Sequence, residues 1–189
     1  MPLSSHPLKV AVAAFALLAA GGVMQANADE ANAKNLLKAM SDYLAAQNSI
    51  AFQFDSTLEV VTTDKQKLGF ASSGTVDLSR PDKIRATRHG GFADVELNFD
   101  GKTVTVLGKN LNSYAQAEIP GTVDNLVMVL RDTYGRPLPA ADLLSSTPYD
   151  HLMEGAVDVK DLGSGVIRGQ ECDHLAVRGE DIDWQIWIA

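Results

Sequence analysis

Residues 50–60, Ile-Ala-Phe-Gln-Phe-Asp-Ser-Thr-Leu-Glu-Val, and 68–78, Leu-Gly-Phe-Ala-Ser-Ser-Gly-Thr-Val-Asp-Leu, decide the fold. In the first, Ile50, Phe52, Phe54, Leu58 and Val60 alternate with small or polar residues; in the second, Leu68, Phe70, Val76 and Leu78 do the same. Successive strand side chains point to opposite faces, so this period of two predicts two long strands sharing one apolar face. The polar run Thr62 to Lys67 is the turn between them, which makes the pair antiparallel. Gln53, Asp55, Glu59, Ser73 and Asp77 fall on the other face, so the sheet is apolar on one side only and must be covered there.

Shorter strands follow around Lys83 to Arg88, Asp94 to Phe99 and Lys102 to Leu107, with Asp100-Gly101 as the strongest hairpin signal, and the meander continues through Asn112 to Ala117. From Gly121 the period lengthens. Val123, Leu126, Val127 and Leu130 make a helical stripe that Pro137 and Pro139 stop, and a second short helix is expected at Ala140 to Leu144. The last third returns to strands at Ala156 to Leu162, Val166 to Gln170, Asp173 to Arg178 and Asp183 to Ile188. Trp184, Ile186 and Ile188 alternate up to Ala189 without a turn or polar tail, which reads as an unfinished strand. The C-terminal strands are therefore expected to be incomplete, leaving an exposed edge with its aggregation hazard.

Working the other way, residues 30–47 carry Ala33, Leu36, Leu37, Met40, Tyr43 and Leu44 at spacings of three and four, the stripe of an amphipathic helix. The order helix, strands, helix pair, strands predicts an α+β fold, not a βαβ one: a curved antiparallel sheet covered by an N-terminal helix and a central pair of lid helices. Parallel nucleotide-binding folds are disfavoured accordingly.

At the start of the chain, Lys9 precedes the uncharged run Val10 to Met24, and Ala26 and Ala28 bracket Asn27. That is a secretory signal over residues 1–28, cleaved after Ala28. The apolar core Val10 to Val23 is shorter than the roughly 20 residues a membrane-spanning helix needs, so no stable membrane insertion is expected after cleavage. Residues 29–189 then form one domain, long enough to bury about 68–70% of its unfolded surface without covalent staples. Cys172 is the single cysteine, so it makes no internal disulfide, and it is expected to be a buried small apolar residue. The full chain carries a net charge of −8, and loss of Lys9 without any acid makes the mature chain more acidic still. This argues against nucleic acid and against anionic membrane surfaces as partners.

Residues for chemistry are sparse. His89, His151, Glu154, Cys172 and His174 are the candidate metal ligands, but Cys172-x-His174 lacks the second pair that a closed zinc site needs, so no metal is expected. No Gly-x-Ser-x-Gly elbow occurs, and neither Asp181 with Asp183 nor Asp158 with Asp161 is read as an acid/base pair. No catalytic residue, no cofactor and no enzymatic activity are expected. Trp184 and Trp187 point to opposite faces of their strand, so at most one lines a cavity.

The stretch Gly74-Thr75-Val76-Asp77-Leu78-Ser79-Arg80-Pro81-Asp82-Lys83-Ile84-Arg85, followed by Phe99-Asp100-Gly101-Lys102-Thr103-Val104, resembles the LolA/LolB-like periplasmic lipoprotein carriers. There a strand ends in Arg-Pro and an Asp-Gly-Lys hairpin comes next. Tyr114 to Pro139 and Gly169 to Ile188, with Cys172-Asp173-His174-Leu175 and Asp183-Trp184-Gln185-Ile186-Trp187, resemble a family of predicted periplasmic proteins of unknown function within that superfamily. The resemblance implies an incomplete, LolA-like half-barrel in the periplasm of a Gram-negative envelope, with an apolar cavity that accepts acyl chains.

On this reading the cavity is lined by Phe52, Phe54, Phe70, Leu97, Phe99, Val104 and Val106 from the sheet and by Leu126, Val127 and Leu130 from the lid. Arg80, in the Arg-Pro position, is implied to latch the lid. The expected function is a carrier or binding protein for a lipid, an acylated protein or another hydrophobic ligand. The alternatives are an envelope sensor that detects lipoproteins and signals to a membrane-protein partner, and a structural adaptor with a filled core.

Overall fold

The computed structural model describes residues 30–91, 93–136 and 138–189, so the signal segment expected at 1–28 and the helix-stopping Pro137 lie outside the described residues. Strands β1 (Ser49–Val61), β2 (Lys67–Ser79), β3 (Lys83–Gly90), β4 (Ala93–Phe99), β5 (Thr103–Gly108) and β6 (Ser113–Glu118) form an antiparallel meander whose order in space is the order in the chain. The sheet is not closed into a barrel: β1 and β6 are its edges. Register aligns the alternating residues as the pattern requires. Ile50 pairs with Leu78, Phe52 with Val76 and Leu58 with Phe70, and one row runs Val76, Ala86, Leu97, Val106, Ala115 across β2 to β6.

The hairpin between β4 and β5 turns at Asp100-Gly101. The Asp100 carboxylate accepts the backbone N–H of Thr103 at 2.8 Å and of Lys102 at 2.9 Å, which holds its pKa below the usual carboxylate value. Gly101 takes φ +92°, open to glycine at little steric penalty.

Helix α2 (Val123–Asp132) starts at Thr122, whose hydroxyl accepts the Asn125 N–H. Its stripe Val123, Leu126 and Leu130 packs with Ile119 and Leu144 on Val76, Leu78, Ile84, Leu97, Phe99 and Val104. Leu126 is fully buried, and burial of such a side chain contributes about 1.5–3 kcal/mol. The second expected helix is a 3-10 turn at Ala141–Leu144.

Three expectations are corrected. The sheet is not single: β7 (Ala156–Ile167), β8 (Gln170–Gly179) and β9 (Asp183–Ile188) form a second, three-stranded antiparallel sheet of which β7 and β9 are the edges. Helix α1 (Glu30–Ala46) covers this second sheet and not the long one: Ala33 and Leu37 are buried with Val159, Leu175 and Val177. The strands expected at 156–162 and 166–170 are one, β7, with a register shift between Asp161 and Ser164. The hairpin after it turns at Arg168-Gly169, both at positive φ, the backbone of a two-residue turn that follows strand twist. Helix α3 (Pro148–Met153) escaped the sequence reading, although Pro148 at its first position is a start signal.

Candidate functional site

The segment leaving β6 is tied down before it becomes a helix. Ile119 N–H donates to Lys102 O at 2.8 Å and Gly121 N–H to Gly101 O at 3.0 Å, so the β4–β5 hairpin holds the strap; Val123 N–H then donates to Pro81 O at 2.9 Å. Beyond α2, the Asp124 carboxylate accepts the Ser146 N–H at 3.0 Å, which joins the helix to the end of the 3-10 turn. Residues 119–136 and 138–146 thus form a lid clamped on the two motifs, Arg80-Pro81 and Asp100-Gly101.

Arg80 gathers three carbonyls from distant parts of the chain. Its Nε donates to Gln47 O at 3.0 Å, and its Nη2 donates to Ser145 O at 3.0 Å and to Leu44 O at 3.5 Å. Leu44 and Gln47 close α1, where the outward carbonyls favour a cation, and Ser145 follows the 3-10 turn of the lid. One guanidinium therefore joins long sheet, lid and α1.

Of the expected cavity residues, Leu97, Phe99, Val104, Leu126 and Leu130 are buried in one core, with Phe54, Val106 and Val127 packed against it. Phe52 shares their face, yet at the edge strand it is 39% exposed. Phe70 lies farther along β2, half-buried, opposite Leu58.

The same face runs on past the lid. Leu58 and Val60 are 49% and 41% exposed, paired with half-buried Phe70 and Leu68. Between this tip and the covered core lies a polar island: Ser56 and Ser72 share a hydrogen bond of 2.9 Å, and Arg88 Nε donates to Ser72 Oγ at 3.0 Å. Sequence reading missed the island, because only the register brings residues from three strands together.

The candidate chemical residues are dispersed. His89 on β3 faces Asp94 at 3.0 Å, His151 and Glu154 sit at the end of α3, and His174 on β8 stacks on Trp187 with ring centroids 4.3 Å apart. Trp184 packs into the second core, on the face opposite Trp187. Cys172 is buried, as expected.

Two open grooves are lined by none of the expected cavity residues: about 430 Å³ beside Asp55, Ser56, Ser72 and His89, and about 490 Å³ beside Cys172, Gln185 and Trp187. The outer face carries an ion cluster. Arg85 Nε donates to the Glu96 carboxylate at 2.9 Å, with Asn98 and Lys109 beside it, and together they hold Glu96 at a pKa of about 2.

Among the described residues, no helix is long and apolar enough to cross a membrane. No curated protein matches the chain. A family described as "Predicted periplasmic protein (DUF2092)" matches residues 33–189, the whole of both sheets and nearly all of α1. The chain belongs to that family of periplasmic proteins.

Proposed function

We propose that this protein is a periplasmic carrier or binding protein for a lipid, an acylated protein or another hydrophobic ligand. The supporting observation is one sheet face that is apolar and buried under the lid at Leu97 and Phe99, partly open at Phe52, and apolar and exposed again at Leu58 and Val60 beyond the Ser56–Ser72 pair. Contiguous exposed apolar surface beside a packed core is typical of binding faces. Each buried methylene of an acyl chain adds about 0.8 kcal/mol, so even partial burial gives useful affinity. The lid, held through a few backbone bonds and Arg80, would shift to admit or release the chain, as the resemblance to the lipoprotein carriers implies.

The test is lipid analysis of protein purified from its native periplasm, paired with titration of a fluorescent fatty acid. Co-purifying lipid and saturable uptake are the expected results; neither lipid nor uptake would defeat the reading. A structural adaptor is the second reading, favoured by the close packing of Leu126 and Leu130 on the sheet. It would be upheld by that double negative together with a stoichiometric partner in pull-downs.

A further inference from the structure

β1 is a free edge of the long sheet, and its outward backbone groups follow from its register. At one end Arg80 N–H donates to Asn48 O at 2.9 Å, and at the other Thr62 N–H donates to Gln66 O at 2.9 Å. The pairing between these ends is unbroken, so bonded pairs recur at every second residue. Even-numbered residues from Ile50 to Val60 therefore bond to β2, and the N–H and C=O of Ala51, Gln53, Asp55, Thr57 and Glu59 point away from the sheet. Among the described residues no strand pairs with that side.

Native edges are normally blunted by shortness, lysine, proline or a bulge. β6 and β9 have six residues each, and β7 carries register shifts. β1 has 13 residues with no lysine, arginine or proline, and its pairing has no bulge. Its inner row offers exposed Leu58 and Val60, and its outer row carries Asp55 and Glu59. Charge decides what fits. A second copy paired about Thr57 would set Asp55 opposite Glu59 twice over, and like charges opposed across strands repel. A cation suits the row: Arg168 of the β7–β8 turn pairs with Asp55, while Glu59 meets none among the described residues.

We propose that β1, from Asp55 to Val61, is a docking edge for an extended segment of a partner protein in which apolar and basic residues alternate. The segment adds a further strand to the sheet. Its backbone bonds the outward groups of Asp55, Thr57 and Glu59, its apolar side chains lie beside Leu58 and Val60, and a basic one meets Glu59. In such strand addition the main chain supplies affinity and the alternate side chains supply specificity. The net charge of −8 draws a basic segment towards the protein. The proposal goes beyond the carrier reading and requires no bound lipid.

The test is an NMR titration of the mature protein with the peptide Thr-Val-Lys-Val-Lys-Val-Lys-Val-Thr and with its counterpart carrying glutamate for lysine. The lysine peptide is expected to saturate and to slow amide exchange at Asp55, Thr57 and Glu59, whose even-numbered neighbours are already protected by β2. The glutamate peptide should bind at least about fivefold more weakly, the scale of a cross-strand charge pair turned from attraction to repulsion. Glu59→Lys should reverse that preference. Thr57→Pro removes an outward donor and leaves the β1–β2 ladder whole, so the fold should persist and the lysine peptide should bind about fivefold more weakly. No binding, equal binding of the two peptides, or protection confined to another strand would overturn the proposal. So would a free protein that sediments as a dimer with its odd-numbered β1 amides already slow, since a second copy would then hold the edge. Should Thr57→Pro not fold, the Glu59→Lys reversal decides.

Discussion

Ser41 fits its surroundings poorly: it is buried in α1 at 1% exposure, and its hydroxyl has no hydrogen-bond partner among the described residues. A buried hydroxyl left unpaired destabilises, and alanine is the better helix former, so Ser41→Ala should raise stability by about 1 kcal/mol in a denaturant titration. Glu96 points the other way. Its folded pKa of about 2 lies below the ordinary 4.5, held there first by Arg85 and then by Asn98. A carboxylate depressed on folding stabilises fully above its unfolded pKa, and that contribution is lost as pH falls from about 5 towards 2. Glu96→Gln should therefore be less stable than the native protein at neutral pH, the difference shrinking across that window; a constant gap in melting temperature from pH 7 to 2.5 would refute the assignment. Neither residue stood out in the sequence. Glu96 occupies an outward position like any other, and only the register of β3 and β4, which pairs Arg85 with Asn98, brings Arg85 within reach of it.

Elements were more legible than contacts. Alternation marked β1 and β2 nearly to their ends, and the stripe Val123, Leu126, Leu130 marked α2, because each is long enough to show its period. The failures have local causes. Gly163, at φ +85°, and Gly165 interrupt the apolar alternation inside β7 and made one strand look like two, while α3 spans six residues, too few for a helical period to repeat. Arg80 was singled out by resemblance, and the structure gives it partners on two further elements. Arg80→Leu leaves the carbonyls of Gln47, Leu44 and Ser145 without this donor. Its expected effect is a loss of about 2 kcal/mol and faster hydrogen exchange at 119–146 and at the end of α1, with β3 and β4 unaffected. Uniform acceleration over the whole chain would show that Arg80 supports general stability and has no specific hold on the lid.

For the whole molecule, periodicity told which face of each strand is apolar but not which strands pair, so the division into two sheets and the seat of α1 were hidden. Two cores result, one under the lid and one between α1 and β7–β9. Leu37 is fully buried in the second, so Leu37→Ala should cost about 2–5 kcal/mol. In that variant exchange protection should fall first in β7–β9 and last in β2–β5; loss in step across both sheets would mean that the two cores are not separable. The exposed Arg168–Asp55 ion pair bridges β1 and the β7–β8 turn, and such pairs contribute at most about 1 kcal/mol. The carbonyls held by Arg80 are the stronger link between the halves.

The seat of α1 also bears on how the protein is made. Its first helix packs on its last three strands, and Asn32 bonds to Asp161 across 129 residues of sequence. A chain exported amino end first delivers that helix into the periplasm with its apolar stripe bare until β7–β9 have crossed. Contacts of such separation close slowly, and bare stripes invite association meanwhile.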